Sequence, residues 1–324
     1  MKELNYLLIG GAGFLGSHLA ARMLYDKHFI VLDNLSSGSL DNLHRIVNPE
    51  DHKFIYGDAA DLQVLCNVCI KNSVDIIINA ATAGLPQSLE NPEFVFLQEI
   101  TIAKNICQAL RLGYAGRLVH ISTSEVYGNA DEYPININIQ PKPQTTYAAG
   151  KASADILIET YRRLYGINAM IIRPFNMFGE RQAPEMYSAL MPKVLKSIFS
   201  GDDIIIHGDG YQTRDYMYVK DTVTIILKLI QMQKHEPSYL ICSEQEIHII
   251  DFVHMIIEEA QTLGISISSN IRFNGKRQGD LTRLLGENNW RFGDYKQTPI
   301  NIAIKNTIKW YQNYYTKEER GYGT

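Results

Sequence analysis

The chain has 324 residues, 45% hydrophobic and 20% charged, enough to bury a sizeable core in one large or two modest domains. A net charge of −4 with no basic tract argues against nucleic acid or an anionic membrane surface as partner. There is no signal-peptide layout at Met1-Lys2-Glu3-Leu4, no apolar run long enough to span a bilayer, and no disulfide framework in four cysteines, so a cytoplasmic setting is expected.

Tyr6–Gly10 reads as a strand and Gly16–Leu24 as a helix, joined by Gly10-Gly11-Ala12-Gly13-Phe14-Leu15-Gly16. Glycines spaced G-x-x-G-x-x-G between strand and helix suit a dinucleotide pyrophosphate. They allow a tight turn and a close backbone approach, and the helix N-terminus attracts the negative charge. Gly10, Gly13, Phe14, Leu15 and Gly16 are therefore candidate cofactor residues. Phe29–Asp33 is the next strand, and Asp33 at its end lies 17 residues beyond Gly16. A carboxylate there accepts hydrogen bonds from ribose hydroxyls and repels a 2′-phosphate, so NAD is expected rather than NADP. Asn34, Ser37 and Gly38 in the following turn are candidates for adenosine contacts. Phe54–Gly57 is a strand followed by Asp58 and Ala59, with Asp58 placed to face the adenine.

Leu62–Lys71 has helical periodicity and contains Cys66 and Cys69. That CxxC lacks a second ligand pair and reads as packed thiols. No His/Cys/Asp cluster elsewhere has metal spacing, so no metal is expected. Asp75–Ala80 is a strand whose end, with Ala80 and Ala81, adjoins the cofactor region. Phe94–Leu112 is a long helix, Arg117–Ser122 a strand with His120 as a core residue, Tyr147–Leu164 a second long helix and Ala169–Arg173 a strand. Strands that are continuous apolar runs, alternating with helices, predict a Rossmann-type doubly wound parallel sheet. It is expected over residues 1–178, with later elements returning to it. Beyond residue 178, loops such as Gly179–Tyr187 and Gly208–Tyr218 predict a smaller α/β substrate lobe over 179–324. The aromatic stripe Trp310, Tyr311, Tyr314 and Tyr315 reads as helix packing.

Tyr147 and Lys151 stand one helical turn apart, on one face. An ammonium beside a phenol lowers its pKa, so Tyr147 is expected to act as a base near neutral pH. Thr123, in the strand-end segment Ser122–Gly128, completes a site of hydroxyl, phenol and ammonium, with Ser124 and Glu125 beside it.

At these residues the chain resembles the extended short-chain dehydrogenase/reductases that modify nucleotide sugars. The resemblance takes in the glycine turn, Asp33, Gly57-Asp58, Ser122–Gly128, Tyr147/Lys151, Arg173-Pro174-Phe175-Asn176, Gly208–Asp215 and Arg277-Gln278-Gly279-Asp280. It implies a homodimer with tightly held NAD and the helices 94–112 and 147–164 at the interface. It also implies Tyr147 as base toward the sugar 4-hydroxyl, Lys151 as its electrostatic and ribose partner, and Thr123 as the group that orients the 4-oxygen. Asn176, Arg214 and Arg277 would hold a UDP-, dTDP-, GDP- or CDP-linked diphosphate, and Ser88 lies in the epimerase-like segment Pro86–Pro92. Three departures stand out: Ile9 for Thr, Asn79 for His, and Glu99 for Asn in the long helix.

Glu125 decides the expected reaction. With C4 oxidised, the C5 proton is acidic, and a base there permits elimination. Thr-Ser-Glu-Val-Tyr-Gly resembles 4,6-dehydratases and UDP-glucuronate decarboxylases, whereas simple 4-epimerases usually carry a small or hydroxyl residue at this position. Arg214-Asp215-Tyr216 resembles dehydratases and epimerases, since decarboxylases usually lack that acid. Ser124 stands where many dehydratases have Asp. The expectation is 4,6-dehydration of a nucleotide hexose, with 4-epimerisation and decarboxylation as alternatives. A non-catalytic NAD or sugar-nucleotide sensor, and a reductase of small carbonyls, remain readings from other classes.

Overall fold

A computed structural model describes residues 4–24, 28–44, 53–183, 189–232 and 234–319. Met1 to Glu3, and residues 184–187 of the expected loop Gly179–Tyr187, lie outside these. The strands are β1 (Asn5–Ile9), β2 (His28–Asp33), β3 (Lys53–Tyr56), β4 (Ile76–Asn79), β5 (Arg117–Ile121), β6 (Asn168–Pro174), β7 (Asn176–Phe178), β8 (Ile204–His207), β9 (Thr213–Arg214), β10 (Tyr216–Tyr218), β11 (Ser238–Ile241), β12 (Ile247–His248) and β13 (Ile271–Asn274). The helices are α1 (Phe14–Met23), α2 (Asp41–His44), α3 (Leu62–Lys71), α4 (Leu85–Glu90), α5 (Pro92–Arg111), α6 (Thr146–Tyr165), α7 (Leu190–Ser200), α8 (Val219–Gln231), α9 (Ile249–Thr262) and α10 (Ile300–Glu319). A 3₁₀ turn covers Ser124–Tyr127.

Seven parallel strands run in the order β11-β6-β5-β4-β1-β2-β3. The chain winds outward from β1 through β2 and β3, then restarts at β4 on the other side of β1. That reversal opens a crevice at the carboxyl ends of β1 and β4. Alternate residues of each strand serve two cores. Leu8, Ile78, Val119 and Ile172 pack under α1 and the C-terminal helices, whereas Leu7, Ile77, Leu118 and Ile171 pack under α3, α5 and α6. Burial on both faces explains why these strands read as unbroken apolar runs.

The expected elements are present, with ends shifted by a residue or two. The short helix α4 is an addition: its segment carries Pro86 at a first-turn position, where proline is tolerated. After β7 the chain builds three small two-stranded pairings, β7 with β10, β9 with β12, and β8 with β13. Within this region β11 returns to the main sheet beside β6. The aromatic stripe of α10 packs inward, with Tyr311 buried and the rings of Tyr315 and Phe199 5.3 Å apart. Cys69 is buried and its thiol is pushed up to about 12 by desolvation, as fits a packing residue.

The glycine turn carries the tightest backbone approach. Gly10 has φ +75°, and a Cβ on Gly16 would sit 2.0 Å from the Gly10 carbonyl oxygen. No side chain fits there without moving α1 from β1. Gly16→Ala is therefore expected to cost about 3 kcal/mol or more in urea unfolding. Gly293→Ala, where a Cβ meets nothing within 4 Å, should change stability little.

Candidate active site

The carboxyl edge of the sheet gathers the expected cofactor residues. Gly13 caps α1 with extended backbone, and no side chain caps that helix end. A Cβ on Gly13 would meet only the Gly10 oxygen, at 3.3 Å. Gly16 answers to the fold, whereas Gly13 answers to whatever lies outside the turn. Uncapped backbone N–H groups beside a glycine with open space form a cradle for an anionic phosphate.

Asp33 is buried behind this turn. Its Oδ2 accepts from Ala12 N at 2.8 Å and its Oδ1 from Leu35 N at 2.8 Å. Each oxygen keeps a second acceptor site, so the carboxylate is fixed in direction without being used up. Asn34 Nδ2 donates to Asp58 Oδ2 at 3.0 Å, and Asp58 Oδ1 accepts from Ala60 N. These two expected adenosine-side residues are thus one assembly. Ser37 is exposed, and Gly38 lies against Ala12, whose backbone carbon a Cβ would approach to 2.8 Å. Ala59 is buried beneath this side. Ala80 N donates to Ile9 O, and Ala81 closely abuts Gly10. The departure Asn79 has a clear local role: its Nδ2 lies 3.1 Å from His120 Nδ1 and its Oδ1 accepts from Ala81 N. His120 is fully buried, and burial followed by the charges of Lys151 and Arg173 keeps it neutral.

Tyr147 and Lys151 lie in the first turns of α6, capped by the Thr145 hydroxyl accepting from Ala148 N. Thr123 caps the 3₁₀ turn, its Oγ1 accepting from Glu125 N at 3.3 Å. The Tyr147 phenol faces the hydroxyls of Thr123 and Thr82 and lies within the field of Glu99 and Glu125. Ser124 is buried beside them. The expected hydroxyl, phenol, ammonium and carboxylate therefore do converge.

One expectation is reversed. Lys151 was expected to lower the Tyr147 pKa, yet the phenol is held above its usual value, first by burial and then by Glu99 and Glu125. The reason is geometric. Lys151 Nζ lies 2.9 Å from Glu99 Oε2, and both side chains are 2% exposed. Lys151 also donates to Ile121 O at 3.0 Å and Ala81 O at 3.4 Å. The departure at position 99 thus neutralises the ammonium from behind. Close contact between α5 and α6 brings them together: a Cβ on Gly150 would stand 3.2 Å from Glu99 Cβ and Phe96 Cα.

Glu125 is half-buried, and desolvation raises its pKa. Arg214 and Arg277 oppose that rise, and Asp280 adds to it. Arg214 is largely committed within the protein: NH2 donates to Asp280 Oδ1 at 2.6 Å, and NH1 to the carbonyls of Thr213 and Leu281 at 2.8 Å. Arg277 has no ion pair among the described residues, and its charge also reaches Lys193 at the start of α7. Asn176 Oδ1 is buried without a partner among the described residues. Ser88 is buried in α4, away from solvent, its carbonyl accepting from Thr146 Oγ1 at 3.3 Å.

Sequence reasoning gave no role to three residues of this site. Thr82 sits directly after Ala80 and Ala81 and touches Tyr147. Asp280 closes the ion pair with Arg214. Asp155, one turn beyond Lys151, has its Oδ2 bridged to Ser122 Oγ at 2.9 Å and Arg173 Nε at 2.8 Å. Its spacing of four from Lys151 is the signal that could have found it.

Among the described residues, no helix is long and apolar enough to cross a membrane, and no group of three His, Cys, Asp or Glu could hold a metal ion. The sequence profile of the NAD dependent epimerase/dehydratase family matches residues 6–242. A UDP-glucose 4-epimerase from Mycolicibacterium smegmatis is 32% identical over 68% of this chain and 72% of its own. A trifunctional enzyme of Arabidopsis thaliana, whose first activity is UDP-glucose 4,6-dehydratase, is 29% identical over 96% of this chain, which spans only 47% of that protein. The crystal structure of dTDP-glucose 4,6-dehydratase from Streptomyces venezuelae, with NAD bound, superposes at a TM-score of 0.87 with 25% identity, covering 96% of this chain and 97% of that one. The cofactor is NAD, and the open cradle at Gly13 fits it. Gly13→Ala is expected to fold normally yet lose NAD affinity at least tenfold, read by calorimetric titration. Unchanged affinity would remove the pyrophosphate from this turn.

Proposed function

The chain belongs to the NAD dependent epimerase/dehydratase family, and from that premise we propose that it acts on a nucleotide-linked hexose as a 4,6-dehydratase. The observation that carries this reading is Glu125, a carboxyl beside Tyr147 whose affinity for protons is raised by its enclosure. The glycine turn, Asp33, Asn34 and Asp58 would hold NAD, which when bound would take the hydride from sugar C4 and give it back at C6 after the 6-hydroxyl has left. Tyr147 takes the proton of the 4-hydroxyl, and the Thr123 hydroxyl orients that oxygen. Lys151 stands one turn behind Tyr147, held by Glu99, Ile121 O and Ala81 O. With C4 at the ketone level, Glu125 removes the C5 proton and the 6-hydroxyl departs as water. A carboxyl lifted above the usual range is better matched to both proton transfers near neutral pH. Because Ser124 offers no carboxyl, Glu125 delivers the proton to the leaving oxygen as well.

Arg277 is the favoured contact for the nucleotide diphosphate, since it is the cation here with no protein carboxylate bound to it among the described residues. The Asn176 side-chain NH2 would donate to the same diphosphate. Arg214, held by Asp280, serves better to fix the wall next to Glu125. A second reading, 4-epimerisation, is favoured by the similarity to the Mycolicibacterium smegmatis enzyme. In that case Glu125 falls back to a structural part.

Mass spectrometry of products from a panel of UDP-, dTDP-, GDP- and CDP-hexoses and UDP-glucuronate separates the readings. Loss of water is the expected result. An unchanged mass with inverted C4 means epimerase, and loss of carbon dioxide means decarboxylase. Tyr147→Phe should lower turnover by a factor of at least about 100 while NAD affinity stays near wild type, because general acid–base help is worth about 10²–10⁴-fold. Glu125→Gln should stop loss of water while leaving NAD affinity intact.

The proposal extends to a homodimer through α5 and α6. Phe94, Leu97 and Ile156 on these helices are 52%, 50% and 63% exposed. Large apolar side chains left open on two adjacent helices suit a matching pair from a second copy. Light scattering should give twice the chain mass, and Leu97→Glu with Ile156→Glu should give the monomer. A wild-type monomer would refute the interface.

A further inference from the structure

The catalytic cluster contains a carboxylate that the proposed chemistry leaves without a task. Glu99 projects from the middle of α5 into the interior behind Tyr147. Its Oε1 accepts from Thr82 Oγ1 at 2.7 Å and from Ala83 N at 3.2 Å, and its Oε2 lies 2.9 Å from Lys151 Nζ. An ammonium has three N–H bonds. Those of Lys151 go to Glu99, Ile121 O and Ala81 O. None is left for the phenol one turn away.

We propose that Glu99 is a positioning residue of the catalytic centre: it binds Lys151 in a buried ion pair, is linked to Tyr147 through the Thr82 hydroxyl, and so sets the pH at which the phenol can take a proton from the sugar. The inference rests on the reading of Tyr147 as the base. A lone ammonium near a phenol favours phenolate. A carboxylate in contact with that ammonium cancels most of its field and adds repulsion of its own, and burial keeps water from screening either.

The charged groups around the phenol come from several elements. Lys151 stands on α6, Glu99 on α5 and Glu125 in the 3₁₀ turn. Behind Lys151 are His120 on β5, Asp155 on α6 and Arg173 on β6. Glu125 in turn faces Arg214, Asp280 and Arg277 from the lobe. Of these, Glu99 is the carboxylate in contact with Lys151, at 2.9 Å, so its charge has the most direct hold on whether the ammonium acts on Tyr147. The sign follows directly. A base works in its deprotonated form, so the acid limb of activity follows the Tyr147 midpoint. Removing the Glu99 charge moves that limb to lower pH.

The test uses the full chain labelled with ¹³C at tyrosine Cζ, without cofactor or sugar. The Tyr147 resonance is identified by its absence from Tyr147→Phe. In Glu99→Gln it should titrate at least about one pH unit below wild type, the low end of what a neighbouring opposite charge produces. Glu99→Asp keeps the charge and should titrate near wild type. An unchanged midpoint in folded Glu99→Gln overturns the proposal, as does a shift of equal size in Glu99→Asp. A wild-type midpoint below the ordinary tyrosine value of about 10 overturns it with no variant at all, which covers a Glu99→Gln protein that does not fold. This titration needs no turnover, so a failure to find any nucleotide-sugar substrate counts against the proposed function alone. With a substrate in hand, the acid limb of kcat/KM should move down in Glu99→Gln by the same interval as the resonance.

Discussion

The site depends on the parallel register of seven strands. Because β1, β2, β4, β5 and β6 all run the same way, their carboxyl ends share one edge. Asp33 ends β2, and Gly10, Ala80, Thr123 and Asn176 each follow a strand end by one or two residues. Residues more than 160 positions apart in sequence are thereby placed along one crevice. The register itself rests on apolar runs buried on both faces, where a slip of one residue would exchange the two cores.

Polar groups beneath that edge are largely paired, with Asp155 Oδ1 and His120 Nε2 lacking a hydrogen-bond partner among the described residues. The Glu99–Lys151 pair, the Asp155 bridge to Ser122 and Arg173, and the Asn79–His120 contact lie side by side on neighbouring elements. Arg173 continues the chain to the Tyr127 hydroxyl at 2.9 Å. Removing one partner of a buried ion pair typically costs about 3–5 kcal/mol, because the other charge is left uncompensated. Such a network is therefore stiff, and it supports Thr123 and Tyr147 from below with little freedom to adjust. Its charge balance also controls proton affinity above it. Glu99 is both a packing necessity for Lys151 and an electrostatic brake on Tyr147.

The C-terminal part of the chain reaches the site by a different route. β11 docks beside β6, and its continuation at Ser243 and Glu244 is tied to Asp215, whose carboxylate accepts both backbone N–H groups and the Ser243 hydroxyl. Asp215 precedes β10, which pairs with β7 from Asn176 onward. This short path fixes Arg214 near Glu125 at the cleft wall. Burial pushes the Asp215 carboxyl up to about 6 despite these donors. Because the folded chain binds this proton more tightly than a free carboxyl does, the contribution of Asp215 to stability falls as pH rises from the ordinary carboxyl range to about 6.

Much of this was legible in the sequence because it is local. The glycine turn, the strand–helix alternation and the four-residue spacing of Tyr147 and Lys151 each follow from a few neighbouring residues and a fixed periodicity. The convergence of Thr123, Glu125 and Tyr147 was inferred from two separate segments and was met in space. What the sequence could not decide was which partner each charge would find. Lys151 is bound to Glu99, 52 positions away, and Arg214 to Asp280, 66 positions away. Electrostatic fields act through space, so a phenol's proton affinity depends on helix packing that spacing along one helix does not reveal. The sequence by itself determined the elements, the NAD cradle and the residues available for chemistry. Only the tertiary structure decided that the ammonium beside the phenol is already neutralised, because that outcome turns on a close approach of α5 to α6 at Gly150.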